Sequence, residues 1–242
     1  MNKQVKSKER VSKHGEVFTS EKDVNAMLDL VKNETLRVDS RFLEPACGDG
    51  NFLAEILKRK LAVAKKNAIP PRRKKPELLE YEKQSFIAIS SLYGVDLLID
   101  NVESCRARLY KLWKDAFEKN FDKECSESCQ KSVRFVLSKN IVCGNALSLK
   151  QVDENGKDTC LPIVFSEWSF VTRDKVQRKD FRYDRLLSGE YSPKATLKNT
   201  NEEIELDLFN FNENTEAELN DCNDGELINT VISDFRNIQN YE

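Results

Sequence analysis

The sequence is organised around residues 41–57, which read Arg41-Phe-Leu-Glu-Pro-Ala-Cys-Gly-Asp-Gly-Asn-Phe-Leu-Ala-Glu-Ile-Leu57. This stretch predicts a short strand, a tight glycine turn and the first turns of an amphipathic helix. Gly48 and Gly50 lack a Cβ, so the backbone can bend sharply there and approach a ligand closely. The helix offers unpaired N–H groups and a positive dipole end to that ligand. Glu44, at the carboxyl end of the strand, lies where open α/β sheets bind small molecules.

The composition bounds the class of protein. A chain of 242 residues is long enough for one α/β domain with an appendage and a sizeable core. No apolar run is long enough to span a membrane, and residues 1–10 are too polar for a signal peptide. Seven cysteines without a secretory signal predict reduced thiols and a cytoplasmic protein.

The cysteine pattern argues against a metal site. Cys125 and Cys129 are four residues apart in a predicted helix, but the chain has no second such pair and only one histidine. A zinc site built from Cys and His therefore lacks ligands, and we predict no metal. These two cysteines are expected to be small helix residues.

The charge is unevenly distributed along the chain. Residues 1–13 are basic and polar and predict a flexible arm, which could touch phosphates or be a disordered terminus. Residues 188–242 form an acidic C-terminal extension, in which Arg236 is the only cation after residue 200. The basic part permits a nucleic-acid partner without requiring one.

The spacing of apolar residues predicts the secondary structure. In the first helix, Val24, Met27, Leu28 and Val31 form one apolar face after a Ser20 N-cap. Further along, Pro70 and Pro71 break the chain into a basic loop. Helices are predicted over residues 21–34, 51–66, 78–91, 101–120 and 123–139, and strands over residues 41–44, 92–97, 141–147 and 161–169. In the acidic extension, residues 204–211 alternate like a strand, and residues 227–235 have the spacing of an amphipathic helix.

The glycine turn resembles a known cofactor loop. Residues 44–53, Glu-Pro-Ala-Cys-Gly-Asp-Gly-Asn-Phe-Leu, are similar to the loop of S-adenosyl-L-methionine-dependent DNA adenine methyltransferases, which runs acidic-Pro-Ala-Cys-Gly-Ser-Gly-x-Phe-Leu. Asp49 stands where the family has Ser. The resemblance implies a doubly wound, Rossmann-like sheet with helices on both faces over residues 14–187. It also implies cofactor contacts from Glu44, Pro45, Ala46, Cys47, Gly48 and Gly50.

Three further segments resemble cofactor motifs of the same family. Gly15-Glu-Val-Phe-Thr19 is similar to the segment that packs over the methionine end of the cofactor, which implies contacts from Phe18 and Thr19. The alternative is a hydrophobic staple that only starts a helix. Asp96, at the end of the second predicted strand, could accept both ribose hydroxyls, with Leu97 beside it.

The third of these segments is Gly144-Asn-Ala-Leu147, which resembles the family's Gly-Asp-Ala-Leu. By that resemblance Asn145 and Ala146 contact the cofactor adenine. An amide oxygen at Asn145 could still accept a hydrogen bond from the adenine amino group, less strongly than a carboxylate.

The catalytic motif of the family, Asp/Asn-Pro-Pro-Tyr/Phe, does not occur in this sequence. Residues 161–169 are at about the right distance for the fourth strand, so Ser166, Glu167 and Trp168 occupy the expected catalytic position. Glu167 could accept an amino hydrogen, and Trp168 could stack on a flipped base. Alternatively, both residues end a strand and cap the core.

The sequence thus predicts a DNA adenine methyltransferase of the restriction–modification type, small or split. Its expected partners are DNA and a second methyltransferase, specificity or restriction subunit. The alternative is a catalytically silent cofactor-binding module or truncated subunit, and RNA or protein is a third acceptor class. Basic residues among aromatics in residues 171–185 are candidates to face DNA.

Overall fold

The computed structural model describes residues 7–122, 125–188 and 229–241. Within these ranges the protein has a mixed α/β fold. The helices are α1 (Lys8–His14), α2 (Glu21–Leu30), α3 (Lys32–Thr35), α4 (Asn51–Asn67), α5 (Leu78–Ser90), α6 (Ile99–Phe121), α7 (Glu127–Asn140) and α8 (Tyr183–Ser188). The strands are β1 (Phe42–Glu44), β2 (Leu92–Asp96), β3 (Ile141–Cys143), β4 (Lys150–Val152), β5 (Asp158–Pro162), β6 (Val164–Phe170), β7 (Lys175–Arg182) and β8 (Asn229–Asp234).

A three-stranded parallel sheet in the order β1-β2-β3 positions the site. Phe42 lies opposite Leu92, and Asp96 lies opposite Cys143, so the carboxyl ends of the strands share one edge. The first strand, the glycine turn and the α4 helix form as the sequence predicts, and β2 and β3 also fall in the predicted segments.

The two faces of this sheet pack against different layers. On one face, Leu92 joins a core of helix residues that includes Leu53, Leu109 and the fully buried Trp113. On the other face, Tyr93 and Val95 belong to a separate cluster with side chains from the β5–β7 region: Ile163, Phe165 and Tyr183. The residues of this cluster come from the segment around β6 and from the start of α8, and helices on both faces of the sheet stay a prediction.

The predicted fourth strand exists but belongs to another sheet. β6 pairs antiparallel with β7, from Val164 opposite Arg182 to Phe170 opposite Val176, and β7 also pairs with β8. Only residues 171–174 join β6 to β7, and such a short connection gives an antiparallel hairpin, because a parallel crossover needs a dozen residues or more. The β4–β5 hairpin, and no crossover helix, precedes β6.

The ends of the chain also differ from the sequence predictions. A flexible arm was expected over residues 1–13, whereas Lys8–His14 form α1, capped by Ser7. The predicted helix over residues 227–235 is wrong, since Asn229–Asp234 form β8. The β-branched run Thr230, Val231 and Ile232 favours a strand, and β7 supplies the hydrogen-bonding partner. The strand predicted over residues 204–211 lies outside the described residues.

The apolar face predicted for α2 is only partly core. Val24 and Leu28 are buried, whereas Met27 and Val31 are 53% and 45% exposed. The helix ends at Leu30, so Val31 no longer follows the helical stripe. Among the described residues, no helix is both long enough and apolar enough to cross a membrane.

Candidate functional site

A cleft of about 430 Å³ lies at the carboxyl ends of β1, β2 and β3. It brings together side chains from four separate stretches of sequence. Of the residues predicted to bind a cofactor, it is lined by Phe18, Pro45, Ala46, Gly48, Asp96, Leu97, Asn145 and Ala146. Thr19, Glu44, Cys47 and Gly50 are neighbours in sequence that do not line it.

The carboxylate of Asp96 lines the cleft and accepts three hydrogen bonds. One oxygen of its carboxylate accepts the backbone N–H of Gly48 at 2.9 Å. The other accepts the backbone N–H of Leu98 at 2.9 Å and the side-chain amide of Asn101 at 3.1 Å. Because a charged acceptor makes strong hydrogen bonds, Asp96 holds the glycine turn against the end of β2. The predicted anion at the end of the second strand is therefore also a structural link between two loops.

Gly48 requires the absence of a side chain for two reasons. Its φ of +52° lies in the left-handed region, and a Cβ would come within 2.8 Å of Cε1 in the Phe18 ring. Phe18 therefore packs directly on the glycine turn, which connects the stretch before α2 to the cleft. This contact agrees with the proximity predicted for the two motifs.

The buried side of the turn is formed by residues that do not reach the cleft. At Gly50, with φ +86°, a Cβ would come within 2.6 Å of Cys105 Sγ, so this glycine permits α6 to pack closely. Cys47 is buried, and its hydrogen bond with Cys105, together with burial, raises the pKa of the Cys47 thiol. Burial likewise raises the pKa of the Glu44 carboxyl. Gly50 and Cys47 thus pack the turn against Cys105 of α6.

The start of α4 provides donors near the cleft. Gly50 is its N-cap, no side chain accepts a hydrogen bond at this cap, and the first turn contains no acidic residue. The N–H groups of a first helical turn have no partners within the helix and carry the positive end of its dipole. Gly50, Asn51 and Phe52 do not line the cleft, so a contact between these N–H groups and a ligand stays a prediction.

The side chain of Asn145 forms hydrogen bonds within the turn after β3 and to Asp158. Its amide oxygen accepts the backbone N–H of Leu147 at 3.0 Å, and its amide nitrogen donates to Asp158 at 3.0 Å. The same oxygen also accepts the backbone N–H of Ser148 at 3.5 Å, so a ligand amine would have to replace this longer hydrogen bond. The neighbouring Leu147 is 96% exposed and lines the cleft.

Glu16 and Asn101 are polar residues of the cleft that were not predicted from the sequence. Glu16 accepts hydrogen bonds from Asn101 at 2.7 Å and from Arg10 of α1 at 2.6 Å. Arg10 also donates to Asp100, and both carboxylates raise the pKa of the Arg10 guanidinium. The sequence signal was the acid inside Gly15-Glu-Val-Phe. Its partner Arg10 is six residues away, but Asn101 is 85 residues away, so no local pattern indicated that contact.

The structure does not bring Ser166, Glu167 and Trp168 into the cleft. Ser166 is buried and donates to Asp180 at 2.5 Å, and Glu167 pairs with Arg41 beside a second cavity of about 230 Å³. Trp168 packs edge-on against Phe86, with the ring centroids 6.2 Å apart.

Successive residues of a strand point to opposite faces, so Glu167 and Trp168 cannot engage one base together. Phe165 and Glu167 line the second cavity, whereas Trp168 and Phe170 join the cluster around Phe86 and Phe235. The second cavity shares no lining residue with the cleft. The catalytic role of this segment stays a prediction, and its geometry favours the alternative role in packing.

Comparisons of the chain with protein-family models, with curated proteins and with solved structures found no match. The geometry of the cleft therefore carries the functional argument.

Proposed function

We propose that the chain binds S-adenosyl-L-methionine in the cleft at the carboxyl ends of β1, β2 and β3, as part of a DNA adenine methyltransferase of the restriction–modification type. The observation that carries the proposal is that residues from four separate motifs, around Phe18, Gly48, Asp96 and Asn145, line one cleft. Three of these stretches follow β1, β2 and β3, and the parallel order of the strands alone brings them to one edge. What supports the proposal is that each stretch resembles a motif for the same cofactor, and that Phe18, from the segment before α2, lines the same cleft. A cytoplasmic location, where cofactor and DNA are both present, belongs to the same proposal.

The chemistry of the cleft fits such a cofactor. A carboxylate at the end of the second strand suits two vicinal ribose hydroxyls, and Asp96 is that group. The exposed apolar side chains of Leu97 and Leu147 suit the faces of an adenine ring. Gly48 and Phe18 both line the cleft and pack against each other, since a Cβ at Gly48 would come within 2.8 Å of the Phe18 ring. When bound, the cofactor supplies an electrophilic methyl group.

A second candidate function is favoured by the segment at residues 166–168. Ser166, Glu167 and Trp168 are engaged with Asp180, Arg41 and Phe86, on both faces of β6. In this candidate the chain is a cofactor-binding module, either catalytically silent or dependent on a partner subunit for the base-binding residues. RNA or protein as acceptor remains a third class, because a cofactor cleft does not choose the acceptor.

Calorimetry with S-adenosyl-L-methionine tests the shared part of these candidates. We expect binding by the wild-type chain and a loss of at least about tenfold in Asp96→Ala, since a hydrogen bond to a charged group contributes about 1.5–3 kcal/mol. Asp115→Ala is the matched control, because Asp115 is an exposed acid on α6 that pairs with Lys111. Equal affinity in Asp96→Ala and wild type would refute the assigned site.

Modified-base sequencing of host DNA separates the two candidates. Methyladenine in a defined sequence context, dependent on Asp96, supports an active methyltransferase. Cofactor binding without a new mark supports the silent or partner-dependent module. Methylation that appears only when a second subunit is expressed together with the chain supports the split enzyme.

A further inference from the structure

A second group of ligand-type side chains lies away from the cleft, between α5 and the start of α7. Glu82, Cys125 and Cys129 each direct one ligand atom into it, and these atoms all lie within 4.8 Å of one another. The three residues are 4%, 4% and 1% exposed. Among the residues that the structure describes, this is the one group of three or more Cys, His, Asp or Glu with such spacing.

The geometry requires little change to hold a metal ion. Zn²⁺ binds Cys sulfur at about 2.3 Å and carboxylate oxygen at about 2.0–2.2 Å, so two sulfurs in a tetrahedral site are about 3.8 Å apart. A contraction of about 1 Å from the outer limit of 4.8 Å therefore suffices. Side-chain rotation can supply this contraction, because the ligand atoms are at the ends of their side chains.

The backbone around both cysteines is held in place. Ser126 caps α7, and its hydroxyl accepts the N–H of Cys129 at 3.3 Å. Gln130 donates its side-chain amide to the carbonyl oxygen of Cys125 at 2.7 Å. Ligands that are already positioned lose less conformational freedom on binding, which favours a metal site over a chance cluster.

The local charge is suited to a divalent cation. Arg236 forms an ion pair with Glu82 from the C-terminal segment. Binding of a divalent ion would form two metal–sulfur bonds and release two thiol protons to solvent. Two thiolates, one carboxylate, one guanidinium and the ion then sum to zero charge. A neutral buried assembly avoids the large cost of an unpaired buried charge.

We propose that Glu82, Cys125 and Cys129 supply three ligands to Zn²⁺ or a similar thiolate-binding divalent ion, with a water molecule as the fourth ligand. The site would join α5 to α7 and, through Arg236, to the segment after β8. The same segment also contacts α7 through Ser132, which donates to Gln239 at 2.6 Å. The sequence prediction of no metal counted only Cys and His, so Glu82, which is distant in sequence, did not enter it.

Co²⁺ binding to the full-length chain tests the site directly. The protein is stripped with a chelator in the presence of reductant and titrated with Co²⁺, whose thiolate complexes absorb in the near ultraviolet. We expect one Co²⁺ per chain with a thiolate charge-transfer band, and competition by Zn²⁺. Cys129→Ser and Glu82→Gln should each weaken binding by more than about 100-fold, since even changes outside a ligand set cost up to that much.

Cys160→Ser is the matched control, because Cys160 is an exposed free thiol on β5 and should leave binding unchanged. Far-ultraviolet circular dichroism checks that each variant folds. If Cys129→Ser fails to fold, melting temperatures replace it as the test. The site is supported if Zn²⁺ raises the melting temperature of the wild type and of Cys160→Ser but not that of Glu82→Gln. Absence of Co²⁺ binding in the wild type, or a band that persists in Cys129→Ser, would overturn it. None of these outcomes depends on cofactor binding in the cleft.

Discussion

Lys60 of α4 should make the stability of the protein depend on pH. Its side chain is 0% exposed, and its ammonium donates to the carbonyl oxygens of Val38 and Ser40 and to the hydroxyl of Ser91. Burial lowers the pKa of Lys60 from 10.5 to about 7. One pKa unit corresponds to about 1.4 kcal/mol, so charging this lysine in the folded state costs about 5 kcal/mol.

The sign follows from the protons bound by each state. Between pH 7 and 10.5 the unfolded chain keeps a proton on Lys60 that the folded chain has released, so the free energy of unfolding rises with pH. The contribution of Lys60 to the free energy of unfolding is largest above pH 10.5, where both states are neutral. It decreases as the pH falls and is smallest below pH 7, where both states carry the charge. Between pH 7 and pH 9 the expected gain is about 2 kcal/mol.

Equilibrium urea unfolding at pH 7, 8 and 9, under reducing conditions, measures this gain. The buried thiol of Cys47 has a raised pKa and opposes this gain near pH 9, because only the unfolded state ionises it. The comparison is therefore with Lys60→Met, in which the thiol contributions are the same and the lysine contribution is absent. The difference in the free energy of unfolding between wild type and Lys60→Met should change by about 2 kcal/mol from pH 7 to pH 9. Parallel pH profiles would refute the reasoning, since they would mean that the three acceptors restore an ordinary pKa.

Two further changes test the site and the core. Gly48→Ala forces a left-handed φ on a residue with a Cβ and a contact of 2.8 Å with Phe18, so stability should fall by about 1–3 kcal/mol and calorimetry should show weaker binding of S-adenosyl-L-methionine; unchanged affinity would place the ligand elsewhere. Phe86→Ala should lower the free energy of unfolding in urea by about 3–5 kcal/mol, because this buried ring packs edge-on against Phe170 and Phe235. Met27→Ala, at an exposed position, is the control and should lower it little; equal losses in the two variants would contradict the packing described.

The local features of the fold could be predicted from the sequence. The glycine turn, α4 and the strand that ends at Asp96 depend on residues close together in the chain, such as Gly48, Gly50 and the acid itself. Parallel strands joined by helices bring their carboxyl ends to one edge, so the meeting of these motifs in a cleft follows from the order of elements. The structure thus brings eight of the predicted residues to one cleft, and their contact with a cofactor stays a prediction.

The remaining features depend on contacts between distant residues. The short connection after Phe170 places β6 in a hairpin with β7, a contact that the distance of β6 from β3 along the chain does not report. The apolar residues from 227 to 235 suit either a helix or a strand, and only the presence of β7 selects the strand. The Glu82 group likewise combines α5, α7 and Cys125, which precedes the α7 N-cap, and no spacing in the sequence reports this contact.

The position of β7 between β6 and β8 has a consequence for the order of folding. β6 and β7 are joined by four residues, so their hairpin can close early and at low entropic cost. β8 follows α8 by forty residues, and its six residues must find the free side of β7 after a much longer search. Until then β7 presents an open row of backbone donors and acceptors, the kind of surface through which incomplete chains associate. Docking of Phe235 beside Phe86 would then end that exposure, so the last strand to arrive also protects the protein from aggregation.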